Sequence, residues 1–234
     1  MKIKVLASGS TGNCYWISDG KTSLLLEAGI PIGEIQRGCN FSIASLRGCL
    51  ITHKHGDHAK TADALMKKSV DVYSSRGTAT ARRWNGHRLH IVKGMDFFEI
   101  GTFTIMAFDL EHDAAEPLGY FIISRETREK LLYITDTHYM RYKFEGLTHI
   151  LCECNYCPEI LMANVSSGIV PLSLAKRIMH SHMSIDTVLD MLRANDLTNL
   201  RQIYLLHLSD TNSDESAFKE RVQRLTGAEV YACY

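Results

Sequence analysis

Leu50-Ile51-Thr52-His53-Lys54-His55-Gly56-Asp57-His58-Ala59-Lys60 sets four candidate metal ligands within six residues. The Cys49–Thr52 run that leads into it is strand-like. In an extended chain residues i and i+2 face the same way, so His53 and His55 can point at one ion. On a helix the two rings would be about 200° apart, so the His-x-His spacing places the segment off a helix. Gly56 then predicts a sharp turn that swings Asp57 and His58 towards a neighbouring point. Imidazoles with a carboxylate suit zinc, and also iron or manganese.

Further candidate ligands stand in separate places along the chain. His112 follows the apolar–polar run Phe103–Glu111, Asp136 follows Leu131–Thr135, and His207 follows Gln202–Leu206. Each lies just past the C-terminal end of an expected strand, where binding groups gather in layered α/β folds.

The chain has 234 residues, 45% hydrophobic and 22% charged, which predicts one globular domain over residues 1–234 and excludes a disordered chain. Lys+Arg and Asp+Glu both number 26, so nucleic acid would be met through a local patch and not through bulk charge. No run approaches the 18 or so apolar residues that span a bilayer, and the N-terminus lacks a long apolar secretory core. With seven cysteines at irregular spacings, the expectation is a cytoplasmic protein with reduced thiols and no membrane partner.

Periodicity predicts strands over residues 2–6, 14–17, 22–27, 48–52, 70–73, 88–92, 97–100, 103–109, 118–123, 130–135, 148–153, 202–207 and 228–233. It predicts helices over 62–68, 78–84, 172–179, 185–194 and 215–225. Ser213 is the expected N-cap of the last helix, Ser184 a candidate cap for its own, and Asn195 a helix stop. Strands and amphipathic helices in both halves suggest two packed sheets with helices outside, although periodicity leaves other α/β layouts open.

His53–His58, as HKHGDH, resembles the HxHxDH signature of the metallo-β-lactamase superfamily. The resemblance runs nearly end to end, and residues 6–17, LASGSTGNCYWI, are similar to the opening turn of its YycJ-like (WalJ-like) branch. LLLEAG at 24–29 resembles the next motif with Glu27 in place of the usual Asp, and HDAAEPLGY at 112–120 and YITDT at 133–137 resemble the third and fourth. CECNY at 152–156 resembles a Glu-x-Asn-His element with Tyr156 replacing His; HSHMS at 180–184 and LLHLSDTN at 205–212 match the closing motifs.

The resemblance implies an αββα sandwich, two packed mixed sheets flanked by helices, with two divalent metal ions at one edge. His53, His55 and His112 would hold the first metal, Asp57, His58 and His207 the second, and Asp136 would bridge them. A metal-bridging hydroxide is then the expected nucleophile, with Asp57 binding one ion and orienting the water. His182 is the second catalytic candidate, placed over the scissile phosphate to stabilise charge or protonate the leaving oxygen, while His180 is read as an exposed neighbour. Glu27 reads either as a partner for a ligand histidine or as a strand-end carboxylate. Ser8, Ser10 and Asn13 read as turn-formers before anion contacts, and His138 as a residue that could line the mouth of the site.

Cys152, Cys154 and Cys157 read as buried thiols in preference to a separate zinc site, and Thr78–Trp84 as an amphipathic helix in preference to a single-strand contact. The YycJ-like resemblance implies a DNA exonuclease, hence a metal-dependent hydrolase acting on DNA or another phosphodiester. The alternatives are a small-molecule hydrolase of the same fold acting on a thioester, lactone or cyclic nucleotide, and a metal-binding protein without turnover.

Overall fold

Lysines at positions 2 and 4 alternate with Ile3 and Val5, and the chain opens as an edge strand whose charged side chains face water. Charge of this kind blunts an edge against pairing with another chain. The structure, a computed structural model, describes residues 1–233, which fall into two compact units. One comprises Met1–Asp109 and Ala114–Glu129; the other comprises Leu110–Asp113 and residues 130–233.

The first unit begins with β1 (Lys2–Ala7), β2 (Cys14–Ser18), β3 (Ser23–Leu26), α1 (Ile32–Gly38) and β4 (Leu46–Leu50). It continues with α2 (Gly56–Ala59), α3 (Ala62–Lys67), β5 (Val72–Ser74), α4 (Arg76–Arg82) and β6 (Leu89–Ile91). The six strands form one sheet in sequential order, with β1–β3 antiparallel and β3–β6 parallel. Parallel neighbours need long crossovers, and the helices supply them. Ile35 of α1 and Leu65 of α3 are buried with Leu25, Cys49 and Val72 of the strands in one core. Each such aliphatic side chain contributes about 1.5–3 kcal/mol by leaving water. The unit closes with an antiparallel meander of β7 (Phe97–Ile100), β8 (Phe103–Asp109) and β9 (Leu118–Ser124).

The second unit holds β10 (Lys130–Ile134), β11 (His149–Glu153), α5 (Pro158–Ser166), α6 (Leu172–Ser181) and α7 (Ile185–Ala194), then β12 (Gln202–Leu206), α8 (Glu215–Thr226) and β13 (Glu229–Ala232). Its four strands pair in parallel, and every residue of β11 is buried. That is the pattern of a parallel strand covered on both faces. No helix among the described residues is long and apolar enough to cross a membrane.

Every strand and helix expected from periodicity is present, with ends shifted by no more than two residues. Three helices escaped it. The four residues of α2 are too few to show a period, α1 buries Ile35 alone, and α5 buries Leu161 alone. The cap of α8 is Asp214 and not Ser213: the Asp214 carboxylate accepts from Ala217 N at 3.0 Å, while Ser213 Oγ donates to Ser209 O at 2.6 Å. Ser184 does cap α7, accepting from Thr187 N at 3.1 Å.

Gly56 opens α2, has no left-handed φ, and a Cβ there would meet open space. The strict glycine is Gly29, where a Cβ would fall 1.7 Å from the carbonyl oxygen of Asp57 and 2.7 Å from Asn13 N. Backbone cannot yield as a flexible side-chain tip does. Gly29→Ala is therefore expected to cost at least about 1–3 kcal/mol in urea unfolding and to lower bound metal. Gly56→Ala is expected to leave the unfolding midpoint unchanged or raise it.

Candidate metal centre

Beyond β4 the chain stays extended because it is tied on both sides. Ile51 N donates to Tyr73 O at 2.9 Å, and Tyr120 Oη donates to Ile51 O at 2.7 Å. Thr52 N donates to the Glu27 carboxylate, and Thr52 O accepts from Leu118 N at 2.9 Å. His53 leaves this tether buried, with Thr52 Oγ1 2.9 Å from its Nδ1. With Nδ1 as donor, Nε2 carries the lone pair that a metal needs.

His55 is the N-cap residue of α2, and the single helical turn after it carries Asp57 and His58. The expected turn at Gly56 is thus helical. The ring centroids of His55 and His58 lie 4.7 and 4.2 Å from that of His53. His58 Nε2 lies 3.4 Å from Asp57 Oδ2, and His58 Nδ1 lies 3.7 Å from Glu27 Oε1. Glu27 is fully buried, accepts from Thr52 N and places Oε1 3.7 Å from the His58 ring.

The opening turn is a structural brace. Asn13 N donates to Asp57 O at 2.7 Å, Ala28 N to His58 O at 2.7 Å, and Gly29 N to Asn13 O at 2.9 Å. The Asn13 side chain also bonds both ways with Gly9 and lies 3.1 Å from His58 Nε2. Tyr15 Oη lies 3.0 Å from Ser8 Oγ.

The second unit carries its own donor set. His112 Nε2 lies 3.6 Å from Asp136 Oδ2, with both side chains at most 5% exposed. Asp136 follows β10 and His207 follows β12, with φ of 49° and 55°. Glu27, past β3, has φ 65°. Left-handed backbone at non-glycine residues costs on the order of 1–3 kcal/mol each and gathers at functional sites. Ligand atoms of Asp136, Glu153, His182 and His207 all lie within 4.8 Å of one another. Within that group Glu153 and His182 are bonded to each other at 2.8 Å, so Asp136 and His207 are its candidate ligands. Buried imidazoles and carboxylates held at strand ends fit borderline divalent ions.

His182 ends α6 as its C-cap residue and stacks on His207 at 5.2 Å with 17° between the rings. Its Nδ1 lies 2.8 Å from Glu153 Oε2, and Thr137 N donates to the other oxygen of that fully buried carboxylate. Burial pushes the Glu153 pKa up, against the opposing pull of His182. Asn155 supports His207, with its amide 3.1 Å from Nδ1 and donating to the His207 carbonyl at 2.8 Å. Asn155 N also donates to Met183 O, and Tyr156 O accepts from Ile185 N, so this segment braces the chain just after His182. Tyr156, where the resemblance expected His, packs with Leu161, Val170 and Ala175. Glu153 and Asn155 were missed as working residues; the CECNY motif carried them, but only paired geometry shows what they hold.

His180 is exposed, and His138 faces Glu111 at 3.6 Å. Burial, above all, keeps Cys152 and Cys154 as thiols, and Cys157 donates to Glu159 at 2.8 Å. No cysteine joins a metal-capable group among the described residues. In α4, Thr78 and Ala79 are buried, and Trp84 beyond it packs on the first unit's core.

The sequence model of the beta-lactamase superfamily domain matches residues 36–208, and the chain belongs to this superfamily. It is a metal-dependent hydrolase of the YycJ/WalJ-like branch. Exodeoxyribonuclease YycJ of Bacillus anthracis is 30% identical over 241 residues, covering 93% of this chain and 86% of that protein. Exodeoxyribonuclease WalJ of Streptococcus pneumoniae serotype 2 is 28% identical over 247 residues, covering 98% and 90%. The metallo-β-lactamase fold protein YhfI of Bacillus subtilis matches with a TM-score of 0.75 at 14% identity, over 99% of this chain and 95% of that one. That likeness establishes the expected αββα fold of two mixed sheets flanked by helices.

If Asn155 holds the His207 ring in place, Asn155→Ala should leave the fold intact and weaken metal binding about 10–100-fold, the usual effect of removing a ligand's support. Competition with a chromogenic chelator measures this.

Proposed function

We propose that the protein is a dinuclear metal-dependent phosphodiesterase, a nuclease acting on DNA. In this reading His53, His55 and His112 would hold one ion and Asp57, His58 and His207 the other, with Asp136 available to both. Zinc suits these donors best, with manganese or iron as substitutes. Divalent ions bound there would supply activation of water and polarisation of phosphoryl oxygens. The exodeoxyribonuclease names of the two relatives support the substrate class. Seven free thiols, six of them buried, suit a reducing cytoplasm.

One observation carries the phosphodiester reading: His182 is anchored by buried Glu153 and stacked on His207 while itself partly exposed. Glu153 at Nδ1 fixes the ring, and the protonated imidazole would offer Nε2–H to a developing anion. Asp57, whose side chain is 24% exposed, orients the attacking water. His182 then stabilises a phosphate oxygen or protonates the leaving oxygen.

The test is cleavage of 5′-labelled single- and double-stranded DNA by chelator-stripped protein with Zn²⁺ or Mn²⁺ restored. Hydrolysis of thioesters or lactones with no phosphodiester cleaved would replace this reading with a small-molecule hydrolase. Asp57→Asn is expected to abolish turnover more completely than it lowers metal content, because the amide keeps an oxygen but loses the charge that activates water. Elemental analysis beside rate measurement separates the two losses.

His182→Ala is expected to retain both metals and lose about 10²–10⁴ in kcat on DNA, the range of general acid catalysis. A smaller loss on a nitrophenyl phosphodiester, whose leaving group needs no proton, assigns His182 as the acid. An equal loss on both assigns it to charge stabilisation.

A further inference from the structure

Helix α6 leads directly into His182, and its outer surface carries Lys176, Arg177 and His180, all exposed. Lys176 and His180 are four residues apart and Arg177 and His180 three apart, so the three side chains are neighbours on one face. None of them makes an ion pair or hydrogen bond among the described residues. Helices α3, α7 and α8 pair their cations. Lys67 faces Asp63 on α3, Arg193 faces Asp190 on α7, and Lys219 and Arg224 face Glu215 and Glu220 on α8.

The sequence around α6 explains the contrast. Asp and Glu make up 26 of 234 residues, one in nine, yet residues 160–185 contain neither. An acid-free stretch that ends at the candidate catalytic histidine leaves a local positive field on a chain of zero formal charge. From Lys176 to His182 the helix rises about 9 Å, the length of roughly two to three stacked nucleotides.

We propose that α6 is a phosphate-binding track: Lys176 and Arg177, assisted by His180, hold the backbone of a DNA strand whose scissile phosphate is presented to His182. The proposal rests on the nuclease reading and extends it. It gives a neutral protein the local cationic surface that nucleic acid requires. Phosphate contacts of this kind position the strand without reading its sequence. The track acts on strand binding and not on bond cleavage, so its residues are positioning residues.

The test compares wild type with the double variant Lys176→Ala/Arg177→Ala, both metal-loaded. On single-stranded oligonucleotides KM is expected to rise on the order of tenfold with kcat unchanged. The slope of log(1/KM) against log salt is expected to flatten by about 1.4, because two fewer phosphates are neutralised. On thymidine 5′-(p-nitrophenyl phosphate), which has no strand to hold, both parameters should match wild type. Fluorescence anisotropy of a labelled oligonucleotide in chelator, where nothing is cleaved, should show the same loss of affinity.

Unchanged KM, salt slope and anisotropy on DNA would overturn the track while leaving the nuclease reading intact. Wild type that cleaves no phosphodiester would overturn both. Exposed Leu172, Leu174 and Met179 on the same helix set up a second decisive arm, with phosphatidylserine vesicles as probe. Vesicle binding lost in the variant while oligonucleotide binding is retained would make α6 a membrane-surface element and overturn the proposal.

Discussion

Three backbone hydrogen bonds, Asn13 N to Asp57 O, Ala28 N to His58 O and Gly29 N to Asn13 O, hold the ligand turn against the first sheet. Asp57 and His58 sit on α2, a helix of four residues, too short to hold itself together in water. Its position comes from these bonds, and the bonds require that the chain at residue 29 carry no side chain. Glu27 adds the next layer by bonding Thr52 N and facing His58, so one buried carboxylate sets both the strand exit and a ring. The geometry of His53, His55, Asp57 and His58 is therefore made by residues between 13 and 29 as much as by the turn itself.

The second unit solves the same problem with side chains. Glu153 grips His182 and the amide of Thr137, while Asn155 grips His207. Both supports leave the same parallel strand, which is buried along its whole length. Burial alone would push Glu153 towards its neutral form; His182 opposes that, and in return gains a fixed orientation. Such mutual dependence is typical of polar groups in a low-dielectric interior, where each is tolerated because the other is present.

Much of this is legible in the chain itself. His53 to His58 declare metal chemistry because few other roles use that spacing, and strand periodicity is clear enough to place His112, Asp136 and His207 at strand ends. What stays hidden is of another kind. Short helices such as α2 have no period to detect, and Asp214 outcompetes Ser213 as a cap through a hydrogen bond that composition does not encode. Glu153 and Asn155 are marked by the CECNY motif, but what they hold is not, since their partners lie 29 and 52 residues away. Gly56 draws notice for a turn it does not need, whereas Gly29 is set by a close approach to a residue 28 positions later.

The left-handed conformations of Glu27, Asp136 and His207 restrict what evolution can place there. Asp, Asn and His enter that region more readily than most residues, and β-branched residues hardly enter it at all. The backbone thus selects among side chains at these positions before any chemistry does. At positions 136 and 207, exchange between Asp, Asn and His is sterically cheap and leaves the strand ends their shape. Position 27 differs: glutamate stands there against its own conformational preference, and aspartate would fit the backbone better but shorten the reach to His58 by one methylene.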